Sequence, residues 1–176
     1  MDFFSFIVQA LGILGMTCAV ISQQCRRNLF YFLFQAGCST FFLIQFLLTQ
    51  SYTGMILNLL NILRSAVMLG GAKCKKTAVL ILFELGYVAA TAFSVFALHD
   101  SLWLSLLVLL AQVLGTLVIW SGNGKWIRYG QLTVISPPWL IYDAFAHSVG
   151  GVLCEVFNIV STTIALIRYR KTGFEK

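Results

Sequence analysis

The sequence predicts an all-α integral membrane protein with seven transmembrane helices. Composition is the first reason, because 59% of the 176 residues are hydrophobic and only 10% are charged, whereas soluble domains carry about a quarter charged residues. The second reason is a mean hydropathy of +0.88. The third is length, since a spanning helix needs about 20 apolar residues and seven such helices use nearly the whole chain. The lipid bilayer is therefore the expected main partner.

Seven apolar runs are separated by short polar connections such as "QQCRRN" and "SGNGKW". The sixth run contains Pro137 and Pro138, which remove backbone hydrogen bonds and predict a kink or hinge. The predicted helices are Phe3 to Ser22, Leu29 to Leu48, Tyr52 to Gly71, Thr77 to Leu98, Leu102 to Trp120, Ile127 to Ala146 and Ser148 to Arg168. Connections this short make sequential helices antiparallel neighbours.

Basic residues mark one side of this bundle. Apart from Arg64, they lie in or beside the connections after helices one, three, five and seven: Arg26, Arg27, Lys73, Lys75, Lys76, Lys125, Arg128, Arg168, Arg170, Lys171 and Lys176. The other side receives Asp2, His99, Asp100, His147 and Asp143. The positive-inside rule then predicts an external N-terminus and a cytoplasmic C-terminus. The net charge of +6 is explained by topology, so no nucleic acid partner is expected.

Signatures of catalysis and metal binding are absent from the sequence. Cys18, Cys38 and Cys154 lie within predicted helices, Cys25 and Cys74 lie in connections, and no CxxC pair occurs. The sequence also lacks GxSxG, HExxH and GxxxxGK[ST]. We expect no enzyme activity, no metal and no cofactor.

An internal repeat emerges when the chain is shifted by 97 residues. Without a gap, this shift pairs Ser39 with Ser136, Gly54 with Gly151, and Asn61 with Asn158. A three-residue change in the first connection then pairs Leu14-Gly15 with Leu114-Gly115. Helices one and five begin on the same side, so the repeats are parallel. The predicted organisation is a first three-helix repeat (1–72), a linker helix (73–99) and a second three-helix repeat (100–176).

Several motifs carry a resemblance to a known family. They are "QALGILG" in helix one, Asn61-x-x-Arg64 in helix three, "VLGTLVIW" in helix five and "PPWLIYDAFAHSVGGVLCEVFN" across helices six and seven. With these motifs the chain resembles the YgjV-type bacterial inner-membrane proteins, usually grouped with the SWEET and PQ-loop transporter superfamily, whose 3+1+3 layout is the one predicted above. The resemblance implies a bacterial inner-membrane location and transport of a small solute.

The wider superfamily also implies a binding pocket. SWEET pockets use one asparagine from each repeat and an aromatic residue of helix six, and Asn61, Asn158 and Trp139 match these positions. Two amides suit a neutral or weakly polar solute. The alternative is that the amides only join helices, at about 0.6 kcal/mol per hydrogen bond. The proline-glutamine motif of the superfamily is replaced by Ser22-Gln23.

Arg64 needs a partner because a central arginine costs about 2.5 to 3.5 kcal/mol in a membrane helix. Its predicted depth favours Glu84, whereas the family resemblance favours Glu155, and Asn58 is the position that Glu155 occupies in the other repeat. Our hypothesis is a pair of Arg64 with Glu155, in which Glu155 also takes up a proton during transport. A purely structural ion pair is the alternative.

The sequence therefore favours a transporter over a non-transporting membrane receptor or assembly protein of the same fold. It identifies neither the solute nor the oligomeric state, and a homo-oligomer is left open. Two complete repeats allow a single chain to enclose a path.

Overall fold

The computed structural model describes residues 3–49, 52–97, 99, 101–145 and 149–175. Within these ranges all regular elements are helical, and the one β interaction is an isolated bridge between Arg27 and Glu175. The α-helices are α1 (Phe3–Gln24), α2 (Asn28–Leu48), α3 (Tyr52–Leu69), α4 (Thr77–Ala97), α5 (Leu102–Trp120), α6 (Gly124–Gly130), α7 (Ser136–Phe145) and α8 (Val149–Arg168). A 3-10 turn (Gly71–Lys73) follows α3, and a π turn (Gln131–Ile135) joins α6 to α7.

The prediction of seven helical segments is confirmed, with α6, the π turn and α7 forming the sixth. The first segment continues two residues past Ser22, and the sixth begins at Gly124, three residues before Ile127. This earlier start has a local cause, because the side chain of Asn123 accepts hydrogen bonds from the backbone N–H groups of Lys125 and Trp126. The predicted boundaries at Leu98, Ala146 and Ser148 lie outside the described residues.

Five of the helices are long and apolar enough to cross a membrane: α1, α2, α4, α5 and α8. The third segment contributes a shorter apolar helix, Gly54–Leu69. The sixth segment runs without a break over residues 124–145, which at about 1.5 Å per residue matches a hydrocarbon core of about 30 Å.

Apolar side chains cover the outside of the bundle, and many polar ones lie inside. Phe96, Trp103 and Ile167 are each at least 70% exposed, whereas Ser94 and Thr116 are completely buried. This distribution is the reverse of that in a soluble protein and suits a lipid environment.

Each helical segment packs against the next in sequence, and α8 returns to pack against α1. The seven segments therefore form a closed ring. Short connections between antiparallel neighbours explain this order, and the contact of α8 with α1 is the one that the connections do not impose.

The connections that carry the basic residues gather at one end of the bundle, which we call the basic end. The Asn28 side chain, at the start of α2, donates to the carbonyl of Gly122, which follows α5. The Lys75 ammonium lies 5.9 Å from the ring centroid of Trp120. The C-terminal residues also return to this end, where the backbone N–H of Glu175 donates to the carbonyl of Arg26.

The two prolines of the sixth segment lie directly after the π turn, at the second and third residues of α7. A proline in an α-helix lacks a backbone N–H and clashes with the carbonyl four residues earlier. The wider π turn at Gln131–Ile135 occupies the positions of those carbonyls and accommodates the rings without ending the helix.

Candidate functional site

A first polar cluster joins α3, α4 and α5, and we call it the Arg64 cluster. Arg64 Nη1 donates to Thr116 Oγ1 at 2.6 Å, and the guanidinium carbon lies 5.9 Å from the Tyr87 ring centroid. Tyr87 OH donates to Asn61 Oδ1 at 2.8 Å. Thr116 and Tyr87 are completely buried. Arg64 therefore points into the bundle, where a hydroxyl and an aromatic face offset part of its desolvation cost.

The expected ion pair of Arg64 is not formed among the described residues. Neither Glu84 nor Glu155 lies within 4.0 Å of its guanidinium, and the ion pairs of this part of the chain are both at the basic end. Glu84 precedes Tyr87 by three residues on α4, and both its carboxylate oxygens are buried without a hydrogen-bond partner. The hydrogen-bond partner of Arg64 is therefore the Thr116 hydroxyl, where the sequence analysis expected a carboxylate.

A second polar cluster lies on α7 and α8, and we call it the Glu155 cluster. Asn158 Nδ2 donates to Glu155 Oε1 at 3.5 Å and to Cys154 Sγ at 3.7 Å. The Asp143 carboxylate of α7 packs directly on Gly151, where an added Cβ atom would overlap it. Two acidic side chains and an amide therefore meet at this cluster.

Two of the three residues of the predicted pocket, Asn61 and Trp139, share Tyr87 as a neighbour, and the hydrogen bonds of Asn158 lie in the Glu155 cluster. Trp139 packs against an apolar cluster that contains Tyr87, the hydrogen-bond partner of Asn61. Asn158 belongs instead to the Glu155 cluster, and no hydrogen bond links it to Asn61 in the described ranges. Asn58 donates to the carbonyl of Gly54 on its own helix at 2.8 Å, so its amide is satisfied locally.

One face of α8 carries buried polar atoms without partners, and we call it the α8 polar face. Glu155, Asn158 and Thr162 follow at helical spacing, and the unpartnered atoms are Glu155 Oε2, Asn158 Oδ1 and Thr162 Oγ1. Asn158 is 5% exposed and Thr162 is completely buried. An unsatisfied buried polar group costs about 1 to 3 kcal/mol, so such atoms usually meet water or a ligand.

The end of α1 adds a further buried amide, that of Gln23. Gln23 is completely buried, and its amide makes no hydrogen bond of good geometry in the described part of the chain, although the Tyr31 side chain of α2 lies close to it. The neighbouring residue Gln24 donates to Ser161 Oγ at 2.8 Å, which brings the end of α1 to the level of Thr162. Buried polar groups therefore lie both along α8, from Glu155 to Thr162, and at the end of α1, where Gln23 faces α2.

Arg128 has a role at the basic end that sequence reasoning missed. The sequence placed it among the flanking basic residues, but it is completely buried. Its Nη2 donates to the carbonyls of Ser22 (3.3 Å) and Cys25 (2.8 Å). Its guanidinium lies between the rings of Tyr31 (4.4 Å) and Phe174 (4.6 Å). The available signal is its position in the apolar run "WIRYG" rather than in a connection.

The C-terminal residues 172–175, which we call the C-terminal strap, lie over this buried arginine. The strap pairs with the α1–α2 connection through backbone hydrogen bonds at Arg26 and Asn28. The Glu175 carboxylate also forms ion pairs with Arg26 at 3.3 Å and Arg27 at 3.2 Å. Phe174 closes the stack on Arg128, so the strap covers the basic end of the ring.

The cysteines of the described ranges form neither a disulfide nor a metal site. All five cysteines are free, and no group of three His, Cys, Asp or Glu side chains converges within the described ranges. At the basic end, burial raises the pKa of the Cys25 thiol, and the nearby Arg128 charge acts in the opposite direction. Because the net effect is a pKa above the ordinary value, Cys25 is a neutral thiol at pH 7.

The chain matches one known protein family over most of its length. A model of the Imp-YgjV family, described as bacterial inner membrane protein, matches residues 6–173. The chain belongs to this family. The match confirms the resemblance to YgjV-type proteins, and it covers the Arg64 cluster, the Glu155 cluster and the first two residues of the C-terminal strap. No curated protein and no solved structure matches the chain significantly.

The family assignment locates the protein in the bacterial inner membrane, as its apolar helices require. The relation of Imp-YgjV proteins to the SWEET and PQ-loop superfamily stays a prediction from the motifs.

Proposed function

We propose that this inner membrane protein is a transporter that moves a small neutral or weakly polar solute through the interior of the helix ring. The observation that carries the proposal is the α8 polar face, where the buried atoms Asn158 Oδ1 and Thr162 Oγ1 have no protein partner in the described part of the chain. A helix that served only packing would satisfy or omit such groups, because each costs about 1 to 3 kcal/mol. A path for water and solute accounts for them.

In this proposal the path lies between two parallel three-helix repeats joined by α4, as in the SWEET layout. Close contacts at repeat-equivalent positions support the two repeats. A Cβ atom on Gly54 would lie 2.8 Å from the Phe46 ring, and one on Gly151 would overlap Asp143. The two glycines are 97 residues apart, and so are Phe46 and Asp143. Each repeat thus places a side chain of its second helix against a glycine of its third.

The solute would meet amides from both repeats. Asn158 lines the α8 polar face, and Asn61 with Trp139 belongs to the side formed by α3, α4 and α5. Such a site offers hydrogen-bond donors, acceptors and an aromatic face, which fit hydroxyl and amide groups on a compact solute. The π turn before Pro137 and Pro138 is the proposed hinge, since π turns are frequent where helices move or bind.

Glu155 is the proposed proton acceptor of the cycle. Its Oε1 accepts from Asn158, its Oε2 makes no hydrogen bond of good geometry, and Ser136 of α7 lies beside the carboxylate, so a proton can be exchanged with water on the polar face. The groups that face it are Asp143 from α7, Cys38 from α2 and Cys154 on its own helix. The test measures transport with and without an imposed pH gradient, for the wild type and for Glu155→Gln. If the gradient changes the rate of neither protein, Glu155 is not a proton acceptor of the cycle.

The decisive experiment measures uptake of a panel of labelled sugars and other small neutral solutes into vesicles that contain the purified protein. Thr162→Val removes the unpartnered hydroxyl at nearly constant volume. Thr163→Val is its matched control, because the Thr163 hydroxyl lies on the exposed side and already donates to the carbonyl of Ile159 at 2.8 Å. We expect Thr162→Val and Asn158→Ala to lower uptake about tenfold, equivalent to about 1.4 kcal/mol, and Thr163→Val to leave it unchanged. Absence of uptake by the wild type, or equal uptake by both threonine variants, contradicts the proposal.

A non-transporting receptor or assembly protein is the second candidate function. The observation that favours it is the Arg64 cluster, in which Arg64 and Asn61 already have partners inside the protein. This role predicts that Asn61→Ala lowers thermal stability without changing solute flux. The transporter role predicts a loss of uptake at a temperature where the variant is still folded.

The proposed orientation places the basic end in the cytoplasm, with the N-terminus outside. The positive-inside rule supports it, since the basic connections gather at this end. A reporter enzyme that is active only on the extracytoplasmic side of the membrane should therefore be inactive when it is fused to the C-terminus. An active fusion contradicts the orientation.

A further inference from the structure

A groove runs along the outside of the bundle between α1 and α8. It has a volume of about 260 Å³ and is lined by Val20, Gln24, Phe157, Val160, Ser161, Ile164 and Arg168. Phe157, Val160 and Ile164 are each 45 to 50% exposed, so the groove opens sideways to the membrane. Behind it, Gln24 Nε2 donates to Ser161 and closes the seam between the two helices.

The length of the groove matches one leaflet of the membrane. From Phe157 to Arg168 the axis of α8 rises about 16 Å at about 1.5 Å per residue. Half of a hydrocarbon core of about 30 Å is nearly the same length. An acyl chain that enters at the basic end would therefore reach the middle of the bilayer along the apolar wall of the groove.

The basic end of the groove carries an unused charge. Arg168 is the last residue of α8 and is exposed, and its side chain forms no hydrogen bond or ion pair within the described residues. Arg170 and Lys171 follow in the exposed segment beyond the helix. Arg26 and Arg27, by contrast, are engaged by Glu175. A guanidinium at headgroup depth, such as that of Arg168 at the mouth of the groove, attracts phosphate and prefers anionic to zwitterionic lipids.

We propose that this groove is a binding site for one anionic phospholipid of the leaflet at the basic end. Its acyl chain lies along Phe157, Val160 and Ile164, and its phosphate binds Arg168. The site lies on the seam that closes the helix ring, and Ser161 in its wall is adjacent to Thr162 of the α8 polar face. A bound lipid therefore supports the α1–α8 contact from outside. The inference does not depend on transport.

The test compares binding of phosphatidylglycerol and phosphatidylethanolamine with identical acyl chains to the purified full-length protein, by native mass spectrometry. We expect phosphatidylglycerol to bind at least about fivefold more tightly, and Arg168→Gln to remove about fivefold of that affinity, as expected for the loss of about 1 kcal/mol per basic residue. Arg170→Gln is the matched control outside the groove and should change affinity less than twofold.

A second variant tests the apolar part of the site without changing charge. Val160→Trp fills the groove from its lipid-facing side, so it should displace phosphatidylglycerol while the bundle stays folded. Glycerol 3-phosphate, a phosphate without acyl chains, should not compete. Equal binding of the two lipids, equal effects of Arg168→Gln and Arg170→Gln, or unchanged binding to Val160→Trp would each overturn the proposal.

Discussion

The guanidinium of Arg128 lies 4.4 Å from the ring centroid of Tyr31, with both side chains buried in the basic end. No carboxylate lies within 4.0 Å of this arginine among the described residues. Its charge is instead stabilised by carbonyls at the end of α1, where the helix dipole is negative, and by two aromatic faces. Arg128 therefore joins α1, α2, α6 and the C-terminal strap.

The first prediction concerns this arginine. Arg128→Gln should lower the thermal midpoint in detergent by about 6 to 12 °C, since losing charged hydrogen bonds costs about 3 kcal/mol and each kcal/mol shifts a chain of this size by about 2 to 4 °C. Arg128→Lys should recover less than half of the loss, because an ammonium cannot reproduce the planar fork. Arg170→Gln, at an exposed position, is the control. A midpoint equal to that of the control contradicts the role of Arg128.

The second prediction concerns the C-terminal strap. Phe174→Ala should release it, because Phe174 stacks on Arg128 and lies beside Gly124. Glu175→Gln should have a small effect of about 1 kcal/mol or less, since its ion pairs are exposed and screened. Trypsin cleavage after Arg170 and Lys171 measures release, and we expect it to accelerate several-fold for Phe174→Ala only. Faster cleavage of Glu175→Gln than of Phe174→Ala argues that ion pairs hold the strap.

The third prediction uses two adjacent glycines of α8. A Cβ atom at Gly151 would overlap the Asp143 carboxylate, whereas one at Gly150 has nothing within 4 Å. Gly151→Ala should therefore destabilise the α7–α8 contact by about 1 to 3 kcal/mol. Gly150→Ala should be neutral or stabilise by up to about 1 kcal/mol through helix propensity. Thermal unfolding in detergent compares the two, and equal midpoints would show that α7 and α8 are not closely packed at Gly151.

The fourth prediction separates the two polar clusters by double-mutant cycles. Arg64→Gln and Thr116→Val should couple by about 1.5 to 3 kcal/mol, because they remove the same charged hydrogen bond. Arg64→Gln and Glu155→Gln should be additive within about 0.5 kcal/mol. The free energy of unfolding, measured by denaturant titration in micelles, decides between them. Strong coupling of Arg64 with Glu155 would restore the ion pair expected from the sequence.

The sequence predicted the helical segments well because lipid imposes one requirement on every spanning helix, an apolar surface of sufficient length. The segment from Leu102 to Trp120 was predicted to the residue. Deviations occur where local chemistry decides, as at Asn123, whose side chain caps a helix that hydropathy alone would start later. The π turn at Gln131–Ile135 cannot be recognised from the hydropathy pattern. The sequence predicted only a kink at the adjacent prolines, Pro137 and Pro138.

Candidate site residues were harder to predict than helices. Arg64 was singled out because a charge is costly in lipid, and Asn61, Glu155 and Asn158 through the internal repeat and the family resemblance; all four do lie in polar clusters. Their partners were not predictable, since Thr116 and Tyr87 are ordinary residues of apolar helices until the bundle forms. The same holds for Gln23, which resembles a loop residue in the sequence but is completely buried beside Tyr31.

By itself the sequence determined that this protein lies in a lipid bilayer, where its helices are and which family motifs it carries. It also determined that the basic residues gather on one side of the bundle. These properties depend on composition and on the order of residues along the chain. Only the tertiary structure decided that Arg64 bonds Thr116 rather than a carboxylate, that Arg128 is buried under the C-terminal strap, and that α8 closes the ring against α1. Those outcomes depend on which helix faces meet. Side chains far apart in the chain compete for the same buried charge, and only the packing of the helices decides which of them contact it.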